Sequence, residues 1–421
     1  MTAGSDSHLH RRHAPAILFV LVTLALDILG FGLIIPILPR LIETFLGGDV
    51  SAATGVYGWL AALYSLMQFL FAPFLGVLSD RFGRRPVILG SLLGSAADYL
   101  LLAFAPSLLW FFIGRLIAGI TGASISAASA YIADVSPPEK RAQNFGLIGA
   151  AFGLGFILGP ALGGVLGHLG LRVPFFVAAG LTMVNALYGW YILPESLPPE
   201  RRRPIRWNRA NPIGSVLALR RHPVVLGLSG TLFLVHLGHA AIHSTWVLYT
   251  GYRFAWSTAQ IGLSLAIVGI MAALVQGVLV RQIVPALGER RAIFTGLAIS
   301  TATLAAYGLA NRGWMIYVIL VFGSLGGITG PAVQSLITRQ VDPDEQGSVQ
   351  GTLASLASLA GIAGPPAASH VFGFFIGPHA PCHVPGAAFF LGALFMLAGL
   401  ALAARARFTG TPTPGKTEGA A

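Results

Sequence analysis

The chain has 421 residues, of which 55% are hydrophobic and only 10% are charged, whereas soluble globular proteins carry about 25% charged residues. A soluble domain is excluded because it would expose more apolar surface than its few polar residues can cover. The single cysteine, Cys382, excludes an intrachain disulfide scaffold, so the composition predicts a protein that lies mainly in lipid.

Twelve apolar runs are long enough to be transmembrane helices, since about 20 residues cross about 30 Å of hydrocarbon. The fourth and eleventh are rich in Gly, Ala and Ser, which let helices approach closely, so we expect them to be interior helices. The first resembles a signal peptide, but it contains Asp27 and lacks a small-x-small cleavage site, so we expect it to be retained. In chain order the predicted spans are 15–38, 55–78, 86–105, 107–133, 143–167, 173–194, 223–250, 258–282, 291–310, 313–337, 348–374 and 384–405.

Lysine and arginine are concentrated in the loops on one side of the predicted spans. The loops on the side of both termini hold 21 of the 26 basic residues, and the remaining span residue is Arg115. This positive-inside bias predicts cytoplasmic termini. Because the basic residues lie in short turns and form no single basic face, the net charge of +11 does not indicate a nucleic-acid partner. The opposite loops hold only Arg40, Arg172, Arg253 and Arg312.

The longest polar break divides the spans six and six. At an offset of 206 residues, ten positions between Val135 and Gly167 carry the same residue in both halves, including Pro137 with Pro343. Two parallel six-helix repeats are typical of the major facilitator fold, an all-α membrane fold with its substrate site between the halves. The predicted organisation is a cytoplasmic tail at 1–14, an N-terminal half at 15–194, a cytoplasmic central loop at 195–222, a C-terminal half at 223–405 and a cytoplasmic tail at 406–421.

Three charged residues lie clearly inside the predicted spans: Asp27, Asp98 and Arg115. Charge in the bilayer costs at least about 2.5–3.5 kcal/mol per residue, so it usually has a purpose. Asp98 and Arg115 lie about equally far from a tight turn near residues 105–107, which makes an ion pair feasible. The pair either fixes helix packing or couples a carboxylate to protons or substrate. Asp27 has no obvious partner in its own half, and we expect it to be functional.

The loop between the second and third spans reads Gly76-Val-Leu-Ser-Asp80-Arg81-Phe-Gly83-Arg84-Arg85-Pro86. Its glycines permit a tight turn, and its arginines favour the cytoplasmic face. Asp80 is predicted to cap the eleventh span near Gly347 and Ser348, which would join the halves through a contact that breaks when they rock. The alternative is a topological turn that gates nothing.

Small residues form one face of the fifth span and predict close helix packing, with a kink at the proline. This helix-packing motif consists of Gly155, Gly159, Pro160, Gly163 and Gly164.

Polar and aromatic residues within the spans are candidates for the wall of a substrate path. His236, His239 and His243 share one face of the seventh span, where they either carry protons or line a wet cavity. No metal-ligand spacing, catalytic triad or dinucleotide loop is evident, so we expect no enzyme, metal or cofactor. The candidates for the substrate path are Tyr64, Gln68, Tyr99, Asn185, His239, Trp246 and Gln276.

Several motifs resemble known transporter signatures. The loop at 76–86 resembles the signature of the major facilitator superfamily, and the stretch at 155–164 resembles the antiporter motif of its twelve-span drug exporters. The segments Asp27–Pro36, Ala97–Phe104 and Gly114–Ala123 are similar to the bacterial tetracycline–proton antiporters. So are Arg339–Asp342 and Gln346–Gly347 near the eleventh span.

This resemblance implies an inner-membrane exporter that exchanges a cationic drug or a metal–drug chelate for protons. It implies that the residues matching Asp27, Gln68, Asp80, Asp98 and Arg115 matter for transport. The family also carries a histidine in span eight and an aspartate in span nine, both tied to proton coupling. This chain has Ala272 and Ser300 at those positions, and neither side chain titrates near neutral pH.

The sequence therefore predicts a monomeric bacterial inner-membrane efflux transporter for a small amphipathic or cationic drug, driven by protons through Asp98, Arg115 and Asp27. Its expected partners are the substrate, protons and the lipid bilayer. One alternative is a proton-independent facilitator or importer of the same fold, which the missing titratable residues favour. Another is a receptor that transports nothing, which would have no reason to keep buried charge.

Overall fold

The computed structural model describes residues 5–122, 125–136, 138–202, 223–341 and 346–405. Within these ranges every regular element is helical, and twelve segments are long and apolar enough to span a membrane. The predicted all-α membrane fold with twelve transmembrane helices is therefore confirmed.

We label the spans TM1 to TM12. Their helices are Ser5–Ile34 and Leu38–Phe45 (TM1), Val50–Phe82 (TM2), Arg84–Phe104 (TM3), Leu108–Gly122 and Ile125–Val135 (TM4), Pro138–Gly167 (TM5), Val173–Ile192 (TM6), Pro223–Phe254 (TM7), Thr258–Leu274 and Val280–Leu287 (TM8), Glu289–Leu309 (TM9), Gly313–Gly323 and Thr329–Arg339 (TM10), Gln346–Ile376 (TM11) and Ala387–Arg405 (TM12).

Three spans contain irregular turns that the sequence prediction missed. TM1 breaks after Ile34 and resumes at Leu38, where Pro39 lies in the first turn and needs no backbone N–H. TM8 contains a π-helical turn at Val275–Leu279, and TM10 contains a 3₁₀ turn at Ser324–Ile328. Turns of this kind within a helix are frequent at functional sites and hinges.

The ends of the chain differ partly from the predicted boundaries. The helix of TM1 already begins at Ser5, inside the predicted tail 1–14. Residues 203–222 of the predicted central loop and the tail 406–421 lie outside the described residues. The division into two domains at the central loop therefore stays a prediction.

The two six-helix halves meet along two helix pairs, TM2 with TM11 and TM5 with TM8. We call the side where TM1 begins and TM12 ends the terminal face, and the other side the distal face. Near the distal face, Ser51 Oγ donates to the carbonyl oxygen of Gly373 at 2.8 Å. Trp59 there stacks edge-on against His370, with ring centroids 6.0 Å apart.

Toward the terminal face the same helices lie apart. No heavy atom of another helix in the described part of the chain comes within 4 Å of where a β-carbon would stand at Gly76 of TM2, Gly153 of TM5 or Gly351 of TM11. At Gly58 of TM2, by contrast, a β-carbon would lie 2.7 Å from Ser369 of TM11. The halves are thus in contact at the distal face and diverge toward the terminal face.

Candidate functional site

A buried ion pair connects TM3 and TM4. Arg115 Nη2 lies 3.4 Å from Asp98 Oδ2, and the Asp98 side chain is fully buried. Gly114 makes room for the carboxylate, because a β-carbon there would lie 2.6 Å from Asp98 Oδ1. Both residues lie roughly 10 Å from the distal ends of their helices, at 1.5 Å per residue. The ion pair between Asp98 and Arg115 that the sequence analysis considered feasible is therefore present.

The pair is only partly satisfied. Among the described atoms, Asp98 Oδ1 and Arg115 Nε are buried without a hydrogen-bond partner. A buried charge that lacks partners is costly, and such groups in native proteins commonly have a functional role. This arrangement pairs the two groups but leaves one polar atom of each without a hydrogen bond.

An aromatic ring joins this pair to TM1 and TM2. The Arg115 guanidinium lies 5.8 Å from the centroid of the Tyr64 ring, within the range of a cation–π contact. Tyr64 stacks on Phe31 of TM1 with centroids 5.9 Å apart, and its hydroxyl accepts a hydrogen bond of 2.9 Å from Gln68 Nε2. The half-buried Tyr64 and Gln68 thus form a polar and aromatic surface beside the ion pair.

Asp27 lies one helical turn before Phe31, on the same face of TM1. Its side chain is half-buried and makes no hydrogen bond or ion pair with any other residue that the structure describes. Asp27, Phe31, Tyr64, Gln68 and Arg115 therefore form one group, which we call the N-half cluster. Its chemistry suits a planar compound that carries positive charge.

Two predicted wall residues are packing residues in this conformation. Asn185 is buried and bonds Thr23 twice, accepting from its hydroxyl and donating to its carbonyl oxygen, both at 3.2 Å. Trp246 is 2% exposed and donates to Ser264 Oγ at 3.0 Å. A polar side chain inside a membrane joins helices as readily as it lines a cavity, so both residues pack in this conformation, and their place on the substrate path stays a prediction.

The other predicted residues take varied positions. Tyr99 is largely buried against Gly30 of TM1, whereas Gln276 is exposed in the π-helical turn of TM8. His239 is half-buried, and His236 and His243 are exposed on the same face of TM7.

The loop between TM2 and TM3 is held within the N-terminal half. Arg84 pairs with Asp80 at 2.6 Å and with Asp134 at the end of TM4 at 3.2 Å. The carboxylate of Glu195, after TM6, accepts from the backbone N–H groups of Arg84 and Arg85 at 2.9 and 3.3 Å. Glu195 thereby neutralises the positive end of TM3, a role that sequence reasoning missed.

The remaining loop residues add two details. Gly83 has a φ of 108°, which favours glycine because it has no β-carbon. Arg85 donates to the carbonyl oxygen of Trp190 at 2.5 Å, and Arg81 is exposed. The side chains of Gly347 and Ser348 lie outside the described residues, so the contact of Asp80 with TM11 stays a prediction.

The small residues of TM5 serve two neighbours. A β-carbon at Gly159 would lie 2.7 Å from the Cα atom of Gly32 in TM1, and Gly155 and Gly163 face the same helix. Gly164 faces Gly262 of TM8, in the other half. The helix continues through Pro160. This motif therefore permits close packing inside the N-terminal half and also across the distal contact between the halves.

The family model described as Major Facilitator Superfamily matches residues 20–365 and 284–421. The chain belongs to the major facilitator superfamily. It is 44% identical over 350 residues to the tetracycline resistance protein of class C from Escherichia coli, covering 83% of this chain and 88% of that protein. It is 39% identical over 353 residues to the class G protein from Vibrio anguillarum, covering 83% and 88%. The predicted resemblance to the superfamily and to these proteins is confirmed.

Solved structures of transporters have the same fold. The human organic anion transporter MFSD10 is 28% identical to this superfamily member, with a TM-score of 0.68 over 93% of this chain and 99% of that chain. A bacterial homologue of the human lysosomal transporter Spinster, in an inward-facing and occupied conformation, has a TM-score of 0.74. At 17% identity, over 93% of this chain and 96% of that chain, it supports the fold alone.

Proposed function

We propose that this protein exports a small amphipathic or cationic drug in exchange for protons, with tetracycline-like compounds as the first substrates to test. The observation that carries the proposal is the buried, partly satisfied Asp98–Arg115 pair beside the N-half cluster. The tetracycline resistance proteins among its relatives support the substrate class.

The positive-inside bias supports a cytoplasmic terminal face in the bacterial inner membrane. The conformation is then open to the cytoplasm and closed outward. In this state a drug enters from the cytoplasm and reaches the N-half cluster. The aromatic faces of Phe31 and Tyr64 suit its rings, and the Asp27 carboxylate suits its positive charge.

Proton exchange follows from the electrostatics of the pair. While Asp98 is ionised, its attraction to Arg115 holds the guanidinium between the carboxylate and the Tyr64 ring. A proton on Asp98 removes that attraction, so Arg115 carries an uncompensated charge that repels a bound cation. Proton binding and cation binding therefore oppose each other, which is what antiport requires. We expect a monomer to perform this cycle without a resident cofactor.

Release on the outer side requires the halves to rock about the substrate. The distal contacts would open, and the terminal ends of TM2 and TM11 would approach. Asp80 would then lie near the start of TM11, where its carboxylate would stabilise the helix N-terminus. In the inward-open state its pairing with Arg84 holds it within its own half.

The decisive experiment measures proton movement in everted membrane vesicles that respiration has acidified. Addition of magnesium–tetracycline, or of another drug in a panel, should release protons from vesicles with the wild-type protein. Asp98→Asn should reduce that release to background, because an amide cannot carry the proton. Asp49→Asn is the matched control, since Asp49 caps TM2 outside the apolar span and asparagine caps equally well. Unchanged release by Asp98→Asn at every pH would show that Asp98 carries no proton.

A proton-independent facilitator is the second candidate, and Ala272 and Ser300 favour it. Ser300 is buried against Gly326, and Ala272 lies on TM8 just before its π-helical turn. Neither offers a charge. Drug counterflow in vesicles without a pH gradient, together with no drug-dependent proton release, would support this candidate.

A further inference from the structure

Two histidines on TM7 have no role in the transport cycle described above. We infer that His239 and His243 together bind a borderline divalent metal ion, such as Co²⁺ or Zn²⁺, that a chelating substrate carries into the cavity. This inference rests on the proposed export function and adds to it two protein ligands for the metal and a preference for borderline metals among metal–drug chelates.

The position of the pair suits a substrate site. His239 is the midpoint of the span Val224–Phe254, the depth at which transporters of this kind bind substrate. At about 100° per residue, the histidines at 236, 239 and 243 fall within an arc of about 60°. Ala241 lies on the opposite face, where it packs against Gly392 of TM12. The histidine face is therefore turned away from TM12 and toward the other half.

Neighbouring contacts fix the direction of this face. Gly364 of TM11 packs against Ala240, while Trp246 contacts Ser264 of TM8. The histidine face lies between these two contacts, and TM2 of the N-terminal half packs on TM7 as well. His239 and His243 keep solvent exposure in this arrangement, as expected for side chains that border the opening between the halves.

The imidazoles of the pair are available as ligands. His236 Nδ1 lies 2.7 Å from the carbonyl oxygen of Leu232 and must donate to it, which leaves Nε2 as the only free nitrogen of this ring. His239 and His243 make no hydrogen bond, ion pair or ring contact with any residue that the structure describes. Two histidines at i and i+4 present their nitrogens to one point, which is the spacing that zinc-binding helices use.

The helices that pack against TM7 place no charged side chain beside His239 and His243, so the two histidines do not belong to an ion-pair network among the described residues. Arg40 and Glu43 of TM1 pair with each other near the distal face, and His370 of TM11 stacks on Trp59. The charged residues of the other packed helices lie near the terminal face: Asp80 and Arg81 of TM2, Arg281 of TM8, Arg339 of TM10 and Arg405 of TM12.

Two histidines do not complete the coordination of a metal ion, and this limits which substrates the pair can bind. No group of three histidine, cysteine or acidic side chains in the described part of the chain is placed to hold a metal. Two imidazoles alone bind a metal weakly, so the ion must bring its other ligands with it. Imidazole favours Zn²⁺, Co²⁺, Ni²⁺ and Cu²⁺, whereas Mg²⁺ favours oxygen ligands. The pair therefore selects a chelate of a borderline metal, and its weakness permits release.

The test compares two metals at one pH. Everted vesicles would receive tetracycline with Co²⁺ or with Mg²⁺, and kcat/KM for drug-dependent proton release would be measured for each. In the wild type, the cobalt chelate should exceed the magnesium chelate by about tenfold, the scale at which loss of a metal's partner affects affinity. His239→Gln and His243→Gln should each bring the ratio close to one. His236→Gln is the matched control, because it removes an imidazole from the same face that is not one of the two proposed ligands, and it should keep the ratio.

The outcomes separate this inference from the proposed function. If the wild type moves neither chelate and no other drug in the panel, the proposed function fails. If it moves both with a ratio near one, or if the substitutions lower both equally, the metal role of the pair is overturned and a role in proton transfer or packing replaces it.

A second measurement does not depend on transport. The visible absorption of Co²⁺ changes when imidazole nitrogen replaces oxygen. Purified wild-type protein should change the spectrum of cobalt–tetracycline, whereas the His239→Gln/His243→Gln protein should not. An unchanged wild-type spectrum at saturating protein would overturn the inference.

Discussion

The turn between TM2 and TM3 and the turn between TM8 and TM9 have the same backbone design in the two halves. Gly83 and Gly288, 205 residues apart, both end one helix and begin the next at positive φ. Around Gly83, the chain places a partly buried network of Arg84, Asp134 and Glu195. Around Gly288, the described residues include the ion pair of Glu289 with Arg339, whose arginine side chain is 63% exposed.

The same contrast holds inside the membrane. The N-terminal half contains the ion pair and the N-half cluster, while the distal part of the C-terminal half is filled by aromatic packing. Trp246 lies 5.1 Å from Tyr307, and Tyr249 lies 4.7 Å from Phe389. A repeated backbone therefore does not imply repeated chemistry. Under the proposed function, the N-terminal half would couple charge, and the C-terminal half would pack rigidly and select substrate.

The largest expected effect tests whether the N-terminal half depends on its buried charges. Arg115→Met leaves Asp98 buried without a partner, which should destabilise the protein by about 3–5 kcal/mol. The double variant Asp98→Asn/Arg115→Met should recover a large part of that loss, because no buried charge remains. Thermal unfolding in detergent would measure both.

The control for this cycle lies in the C-terminal half. Ser300→Ala removes a buried hydroxyl where no ion pair exists, and it should change stability by less than about 1.5 kcal/mol. If the double variant were as unstable as the sum of its single variants, the charges would be acting independently, and the antiport argument would lose its basis.

Much of this arrangement could be predicted from the sequence because its signals are local. Asp98 and Arg115 are charges in apolar runs on either side of one short turn, so chain geometry alone places them together. The cap by Glu195 could not be predicted, since it lies 111 residues from Arg84 along the chain. The burial of Asn185 and Trp246 in this conformation could not be predicted for a related reason. The rotation of a membrane helix depends on its neighbours, and its own sequence does not reveal which polar side chain faces a cavity.

A smaller effect is expected when the acidic residue at each of the two turns, TM2–TM3 and TM8–TM9, is removed. Glu195→Ala should destabilise the protein by about 1–2 kcal/mol, because two backbone N–H groups at the start of TM3 lose a charged acceptor. Glu289→Ala should cost less than about 1 kcal/mol, since its pair with Arg339 is largely exposed and screened. Thermal unfolding at low and high salt would measure both, and only the small Glu289 contribution should decrease with salt. Equal losses would show that the two turns are equivalent.

The smallest expected effect lies at the seam between the halves. Arg40 of TM1 donates from Nη2 to the carbonyl oxygen of Trp256 at 2.9 Å, beside Ala255, which has a φ of 52°. This hydrogen bond crosses from one half to the other on the distal face. Its loss in Arg40→Ala should favour the outward-open state by about 1 kcal/mol, or about fivefold in population.

Two features of the chain permit a clean measurement of that shift. Cys382 is the single cysteine, so Cys382→Ser/Ser369→Cys carries one thiol at a position that is fully buried where TM11 meets TM2. An impermeant maleimide added to intact cells should label it about fivefold faster when Arg40→Ala is present.

Arg172→Ala is the matched control. Arg172 also donates to two carbonyl oxygens on the distal face, at 2.9 Å, but both belong to its own half. Its loss should leave the labelling rate unchanged, because a bond within one half does not oppose rocking between the two. Equal acceleration by both substitutions would mean that the halves deform internally and do not move as rigid bodies.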